Sequence, residues 1–268
     1  MYIHFIDPYQ IGNSLVHLTD ARVKLVLGLA FILTVALLPA GAWVLYFLLF
    51  VIIFSLENVS GVRTGYYIKR SSFALPFIFA AVPLIFTVPG STLFSLTIGS
   101  LEFSISIPGL ERFFSIALKS WISIQAALVL TATTAFPDIL MAMRSLRVPR
   151  LLVAIFGLMW RYLFVFSDEA LRLLRARAAR SGSTGNPDLH TGGGIIWRAK
   201  TAGGLAGNLF VRSLERSERI YVAMLSRGYD GEVRSLPREK MEAYNWIILA
   251  AGGMMLSLVF ALSILMNT

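Results

Sequence analysis

WIILAAGGMMLSLVFALSILM, residues 246–266, carries no charged side chain. A helix rises about 1.5 Å per residue, so roughly 20 such residues cross the hydrocarbon of a bilayer. There every backbone N–H and C=O must be paired within the segment. Tyr244 and Trp246 stand at its entrance, where amphipathic rings favour the headgroup region. The stretch predicts a transmembrane helix. Four more stretches qualify on the same grounds: residues 23–38, 42–56, 73–88 and 113–136. Pro39-Ala40-Gly41 makes a tight turn between the first two, and Lys119 sits near the start of the fourth. The five spans account for a chain of 268 residues that is 56% hydrophobic and only 15% charged, with a mean hydropathy of +0.71. A soluble domain carries about 25% charged residues. The absence of cysteine excludes disulfides, thiolate metal sites and cysteine catalysis. Residues 1–14 contain no lysine or arginine ahead of an apolar core, so they do not read as a cleaved signal peptide.

The net charge is +9, and its distribution orients the chain. Arg22 and Lys24 flank the first span, and Arg63, Lys69 and Arg70 lie between the second and third. The positive-inside rule places both groups in the cytoplasm. Four crossings then return the chain to the cytoplasm near Pro137, where a long arginine-rich region begins. Residues 151–166 are apolar and about span length, with Arg161 inside them. A full crossing there would put the following arginines outside. This stretch is therefore read as a helix buried in the protein or lying at the membrane boundary. The expectation is an all-α integral membrane protein with five transmembrane helices, the N-terminus inside and the C-terminus outside. Residues 1–136 form a membrane domain, 137–243 a cytoplasmic coupling region, and 244–268 the final span. On the outer side, residues 92–108 alternate partly around Gly99-Ser100, which fits a hairpin or an irregular loop.

The basic region predicts three amphipathic helices. The first runs over residues 138–147, between Pro137-Asp138 and Pro149. The second covers residues 168–180, with Asp168 and Glu169 at its N-terminus facing the helix dipole and Asp168 spaced to pair with Arg172. The third covers residues 205–227, with Phe210, Leu214, Tyr221 and Met224 as its stripe and Gly228 as its stop. The intervening residues 181–194 read as a loop by composition. Such helices suit either adhesion to anionic lipid headgroups or docking of a cytosolic partner with acidic grooves.

Several stretches now carry a resemblance: Asp7-Pro8-Tyr9; Asp20-Ala21-Arg22-Val23-Lys24; Arg147-Val148-Pro149; Arg161-Tyr162-Leu163-Phe164-Val165 running into Asp168-Glu169-Ala170; and Glu218-Arg219 through Ala223-Met224-Leu225-Ser226-Arg227-Gly228-Tyr229-Asp230-Gly231. In order and spacing they resemble the transmembrane T component of energy-coupling-factor transporters, the CbiQ/EcfT family, and above all its cobalt/nickel branch. The resemblance implies a non-catalytic scaffold that couples two cytosolic ABC-type ATPase subunits to a separate substrate-binding membrane subunit of the S or CbiM-like type. The chain would sit among the lipids of a prokaryotic cell membrane as a multi-pass protein, without nucleic acid. It would hold no cofactor of its own, ATP being bound by the partners. Two short Ala-Arg-Gly-like motifs at the ends of coupling helices would enter grooves on the ATPases. The second is Ser226-Arg227-Gly228. The first matches Ala179-Arg180-Ser181, where Ser replaces Gly, with Ala176-Arg177-Ala178 as the alternative register. Physically, a planar guanidinium at a helix end offers five donors to carboxylates, and small neighbours let the backbone approach.

Other chemistry finds little support. No Gly-Lys dipeptide occurs, so the chain lacks that phosphate-binding loop. His4, His17 and His190 form no ligand pair, and no Gly-x-Ser-x-Gly nucleophile motif is present. Span centres hold no carboxylate. Lys119 is expected to snorkel or to pair with a carboxylate, and Arg161 to anchor the coupling region. Gly252-Gly253 fits either close helix contact or ordinary span composition. The readings kept beside the cobalt/nickel one are a T component for a vitamin transporter and, from another class, a membrane-bound enzyme or lipid-surface adaptor.

Overall fold

The computed structural model describes residues 8–98, 101–180, 194–231 and 241–267. The chain divides into two compact units, Met1–Leu146 with Arg238–Thr268, and Arg147–Pro237. Along the chain come α1 (Leu15–Leu18), α2 (Ala21–Leu37), α3 (Trp43–Val59), α4 (Thr64–Ser71), a short 3-10 turn, α5 (Leu75–Phe79) and α6 (Leu84–Thr87). The hairpin β1 (Thr92–Ile98) and β2 (Leu101–Ser106) follows. The remainder is α7 (Ile107–Thr133), α8 (Phe136–Ser145), α9 (Arg150–Arg180), α10 (Ile195–Leu225) and α11 (Ala243–Asn267). The protein is all-α apart from that antiparallel hairpin, whose register pairs Thr97 with Glu102 and Ile98 with Leu101.

In the first unit α7 is the central helix, packing against α2, α3 and α4, while α11 packs on α2. Val35, Tyr46, Leu49, Tyr67, Ile122 and Val259 meet in its core. Around them Val44, Phe47, Phe77 and Met254 point outward and exposed, while Ser71, Gln125 and Thr133 are buried. That inversion of the pattern of a water-soluble protein fits lipid as the outer solvent.

Polar contacts fasten both ends of this bundle. At one end Gly41 takes φ +86°, a region that favours glycine. Its amide donates to Ser115 Oγ at 3.0 Å, and Tyr46 Oη donates to the Pro39 carbonyl. Lys119 Nζ donates to the carbonyls of Leu38 and, at 3.4 Å, Ala36. It thus caps the C-terminus of α2, a negative helix end that suits a cation, instead of pairing with a carboxylate. At the other end Asp20 caps α2 by accepting from the Arg22 amide at 2.9 Å. Its own amide donates to Asn245 Oδ1 at 3.2 Å. Lys24 Nζ donates to the Thr133 carbonyl at 2.9 Å, and Tyr244 Oη to the Leu18 carbonyl at 3.1 Å. The run from Asp20 to Lys24 is therefore a polar tie between the ends of α2, α7 and α11.

Gly252 and Gly253 play different roles. A Cβ at Gly252 would stand 2.8 Å from Leu27 Cδ2, whereas one at Gly253 meets nothing within 4 Å. Gly252→Leu is expected to overpack the α2–α11 contact and cost about 1–3 kcal/mol, while Gly253→Leu is neutral. Thermal unfolding in detergent compares the two, and equal midpoints would contradict the packing.

Three expectations need correction. Residues 151–166 and 168–180 are one continuous helix, α9. No proline or glycine separates them, so a cap-like Ser167-Asp168 does not stop a helix whose neighbours favour propagation. Asp168 and Glu169 lie mid-helix, away from the dipole end. The apolar half of α9 is not buried in the chain either: of its residues only Ala154 is buried. Next, α10 starts at Ile195 and runs through Gly203, Gly204 and Gly207; a glycine costs about 1 kcal/mol each there and does not end it. Finally, the span expected at residues 73–88 is broken into α5 and α6, with Pro76 and Pro83 each lacking an amide donor. The helices Thr64–Ser71 and Leu75–Thr87 bend by 43° at their junction. Among the described residues three helices are by themselves long and apolar enough to cross a membrane: α7, α9 and Ala243–Leu265 of α11. The bent pair would make a fourth, and α3 is a shorter apolar helix.

Candidate coupling site

The second unit is built on α9 and α10. Each alternates apolar and basic faces, and long-range ion pairs join them. Glu169, 14% exposed, holds Arg212 Nη1 at 3.3 Å and Arg216 Nη2 at 3.0 Å. Arg216 also lies over the Phe166 ring at 5.9 Å, and Arg177 over the Trp197 ring at 5.6 Å. Cation–π contacts of this kind contribute about 0.5–1 kcal/mol at exposed sites. No ion pair joins Asp168 to Arg172. Glu169, one residue on, is rotated by about 100° toward α10.

The two helix ends present the sequence motifs differently. Arg180 is the last residue of α9, and it and Ala179 are exposed. Ser181 lies outside the described residues. In the alternative register Ala176 and Ala178 are exposed, and Arg177 is half-buried on Trp197. Ser226-Arg227-Gly228 closes α10. The Ser226 hydroxyl donates to the Val222 carbonyl at 2.9 Å. Gly228, at φ +75°, donates its amide to the Leu225 carbonyl at 2.9 Å, and Tyr229 donates to that of Met224 at 3.0 Å. Those two bonds satisfy the last carbonyls of the helix in the glycine-terminated way. They leave the exposed Arg227 side chain at the tip. Gly228→Ala forces a Cβ into the left-handed region and costs about 1 kcal/mol. Amide exchange of residues 222–231 should speed up by roughly fivefold; unchanged exchange would refute this closure.

The apolar stripe of α10 is uncovered. Phe210, Leu214 and Tyr221 are exposed, and Met224 is half-buried. Leu151, Ile155, Met159 and Leu163 form a similar exposed ridge on the first half of α9, with Arg161 exposed beside it. Arg147, just before α9, takes φ +63°, a conformation uncommon outside glycine. Among the described residues no three His, Asp or Glu side chains converge as a metal-ligand set. His17 is engaged by Ser14 Oγ at 2.7 Å and the Gln10 carbonyl at 3.0 Å. His4 and His190 lie outside the described residues.

Ties at the ends of α2 and α11, a long α9 with an uncovered apolar half, and an arginine held at the glycine-closed tip of α10 are the features a family match must explain. The CbiQ family, described as cobalt transport protein, matches residues 12–238. The chain belongs to this family. It is similar to an uncharacterised protein of Methanocaldococcus jannaschii, 27% identical over 248 residues, covering 89% of this chain and 79% of the relative. The energy-coupling factor transporter transmembrane protein EcfT of Lactobacillus helveticus is 28% identical, with 90% and 85% covered. A putative fused cobalt transport protein CbiMQ of Methanocorpusculum labreanum is 29% identical over 88% of this chain, which spans only 38% of that longer protein. This CbiQ-family chain is a membrane component of an energy-coupling-factor type transporter.

Glu169 was not singled out as a partner of α10 in the sequence, and its neighbour Asp168 has the same chemistry. The signal available was the pair of arginines at Arg212 and Arg216, one turn apart on α10, which calls for a carboxylate on a facing helix.

Proposed function

We propose that this chain couples two cytosolic ABC-type ATPases to a separate substrate-binding membrane subunit, and that the ATPases dock on Arg180 and Arg227. The observation that carries the reading is the pair of long amphipathic helices, clamped together at Glu169, with exposed arginines at their ends and exposed apolar stripes. Guanidinium groups at helix ends suit acidic grooves. Closure of the ATPases would move the helix ends, and the clamp would transmit that motion along α9 and α10. ATP would be bound by the partners, and this chain would carry no catalytic step.

Cobalt or nickel is the cargo this reading favours, supported by the family description and by the fused relative's printed name. A vitamin cargo draws on the EcfT relatives, whose names specify no metal. The arginine-rich region faces the cytoplasm with the N-terminus, by the positive-inside rule. The chain has no cysteine, so single introduced cysteines report sidedness cleanly. Labelling near position 190 from outside would overturn the orientation.

Purification of the tagged chain in mild detergent, with mass spectrometry of what accompanies it, tests the whole reading. Recovery of nucleotide-binding subunits and a second membrane protein supports it, and that second protein identifies the cargo class. Recovery of the chain alone, under conditions that preserve other membrane complexes, would favour a membrane-bound enzyme or a lipid-surface adaptor.

A further inference from the structure

Ile195 and Ile196 open α10 at 86% and 85% exposure. Among the described residues only Ile11 is a large apolar side chain more exposed than these. Trp197 follows, its ring under the Arg177 guanidinium. Arg198 and Lys200 come next on the same turns, both exposed. From Leu171 to Asn208 the sequence holds Arg172, Arg175, Arg177, Arg180, Arg198 and Lys200 against a single acid, Asp188.

The combination is specific in its chemistry. Two nearly bare isoleucines are unfavourable in water, so they call for an apolar cover. The collar of one charge sign around them calls for an anionic partner as well. An anionic bilayer surface meets both demands, because isoleucines enter the acyl boundary, an indole sits at headgroup depth, and lysine and arginine reach lipid phosphates. We infer that the first turn of α10 is a membrane-surface foot. Ile195, Ile196 and Trp197 insert at the headgroup–acyl boundary of an anionic leaflet, and Arg177, Arg198 and Lys200 engage the phosphates. The foot holds the start of α10 on the leaflet, giving the α9–α10 pair a fixed point. It requires no ATPase and does not rest on the coupling reading.

Nitroxide labels on single cysteines test it in the otherwise cysteine-free chain. Ile195→Cys, Ile196→Cys and, as an exposed reference, Gly207→Cys are reconstituted alone into phosphatidylcholine–phosphatidylglycerol vesicles. Collision with oxygen and with a water-soluble nickel chelate is then compared at each site. The expected result is oxygen dominance at positions 195 and 196 and chelate dominance at position 207. That dominance should fall in pure phosphatidylcholine and in an Arg198→Gln/Lys200→Gln background. Chelate dominance at 195 and 196 in the anionic vesicles overturns the foot. So does protection that arises only when partner subunits are added, which would mean a protein covers the patch.

Discussion

Arg227→Ala is expected to leave the chain folded in the membrane while weakening its association with the ATPase subunits by roughly 30- to 1000-fold. The basis is a loss of ~2–4 kcal/mol when one side of a hydrogen-bonded charge pair at an interface is removed. Arg227 is exposed and outside the core of its unit, so the helix itself does not depend on it. The bonds of Gly228 and Tyr229 that close α10 are backbone bonds and survive the change. Arg180→Ala alone should have a smaller or similar effect, and the double variant should abolish association. Arg227→Lys separates charge from shape: a lysine keeps the charge but lacks the planar fork, and should restore association only in part. Arg219→Ala, an exposed arginine on α10, serves as the neutral comparison. Copurification and uptake in membranes are the readouts. Full association with both Arg180 and Arg227 replaced would remove the docking reading.

Glu169→Ala should uncouple the two helices. The carboxylate is 14% exposed, and its partners Arg212 and Arg216 are 57% and 31% exposed. The Arg212 pair is largely screened by solvent, and the Arg216 pair less so. The loss is therefore about 1–3 kcal/mol in all, most of it from Arg216. The same loss follows from the charge left behind, because Arg216 Nη1 is already buried without a hydrogen-bond partner. Spin labels at Ala179→Cys and Ala202→Cys would read the α9–α10 distance distribution. It should broaden in Glu169→Ala. The reversed set Glu169→Arg/Arg212→Glu/Arg216→Glu should narrow it again, which a merely destabilised fold would not do. Transport should fall further than ATPase binding, since Glu169 is a positioning residue remote from the helix ends at Arg180 and Arg227. An unchanged distribution, together with unchanged transport, would remove the clamp from the mechanism.

The comparison of these two residues shows what local pattern carries. The end of α10 at Arg227 could be read in the sequence because it is local, whereas a docking role for that arginine came only with the family resemblance. A glycine three residues past the last apolar position ends a helix wherever the chain is placed, and Gly228 does so here. Glu169 could not be found in that way. Asp168 and Glu169 are neighbours of like chemistry, each about one turn before Arg172. The side on which α10 lies decides which of them is clamped, and the partners sit 43 and 47 residues away in sequence, at Arg212 and Arg216. Lys119 is a similar case. Its depth marked it as a group needing a partner, but that partner is the carbonyl end of α2, 81 residues distant for Leu38.

The sequence by itself determined that this is an α-helical membrane protein, where most of its apolar helices lie, and which helix end closes on an arginine. Hydropathy over about 20 residues and the backbone preference of glycine are local quantities, and both act before any tertiary contact forms. Tertiary structure alone decided that Gly252 and not Gly253 meets Leu27, and that Glu169 is the clamp. Both depend on which face of one helix meets another. A single residue step turns a helical face by about 100°, and long-range packing, which no local window contains, selects the face that is buried.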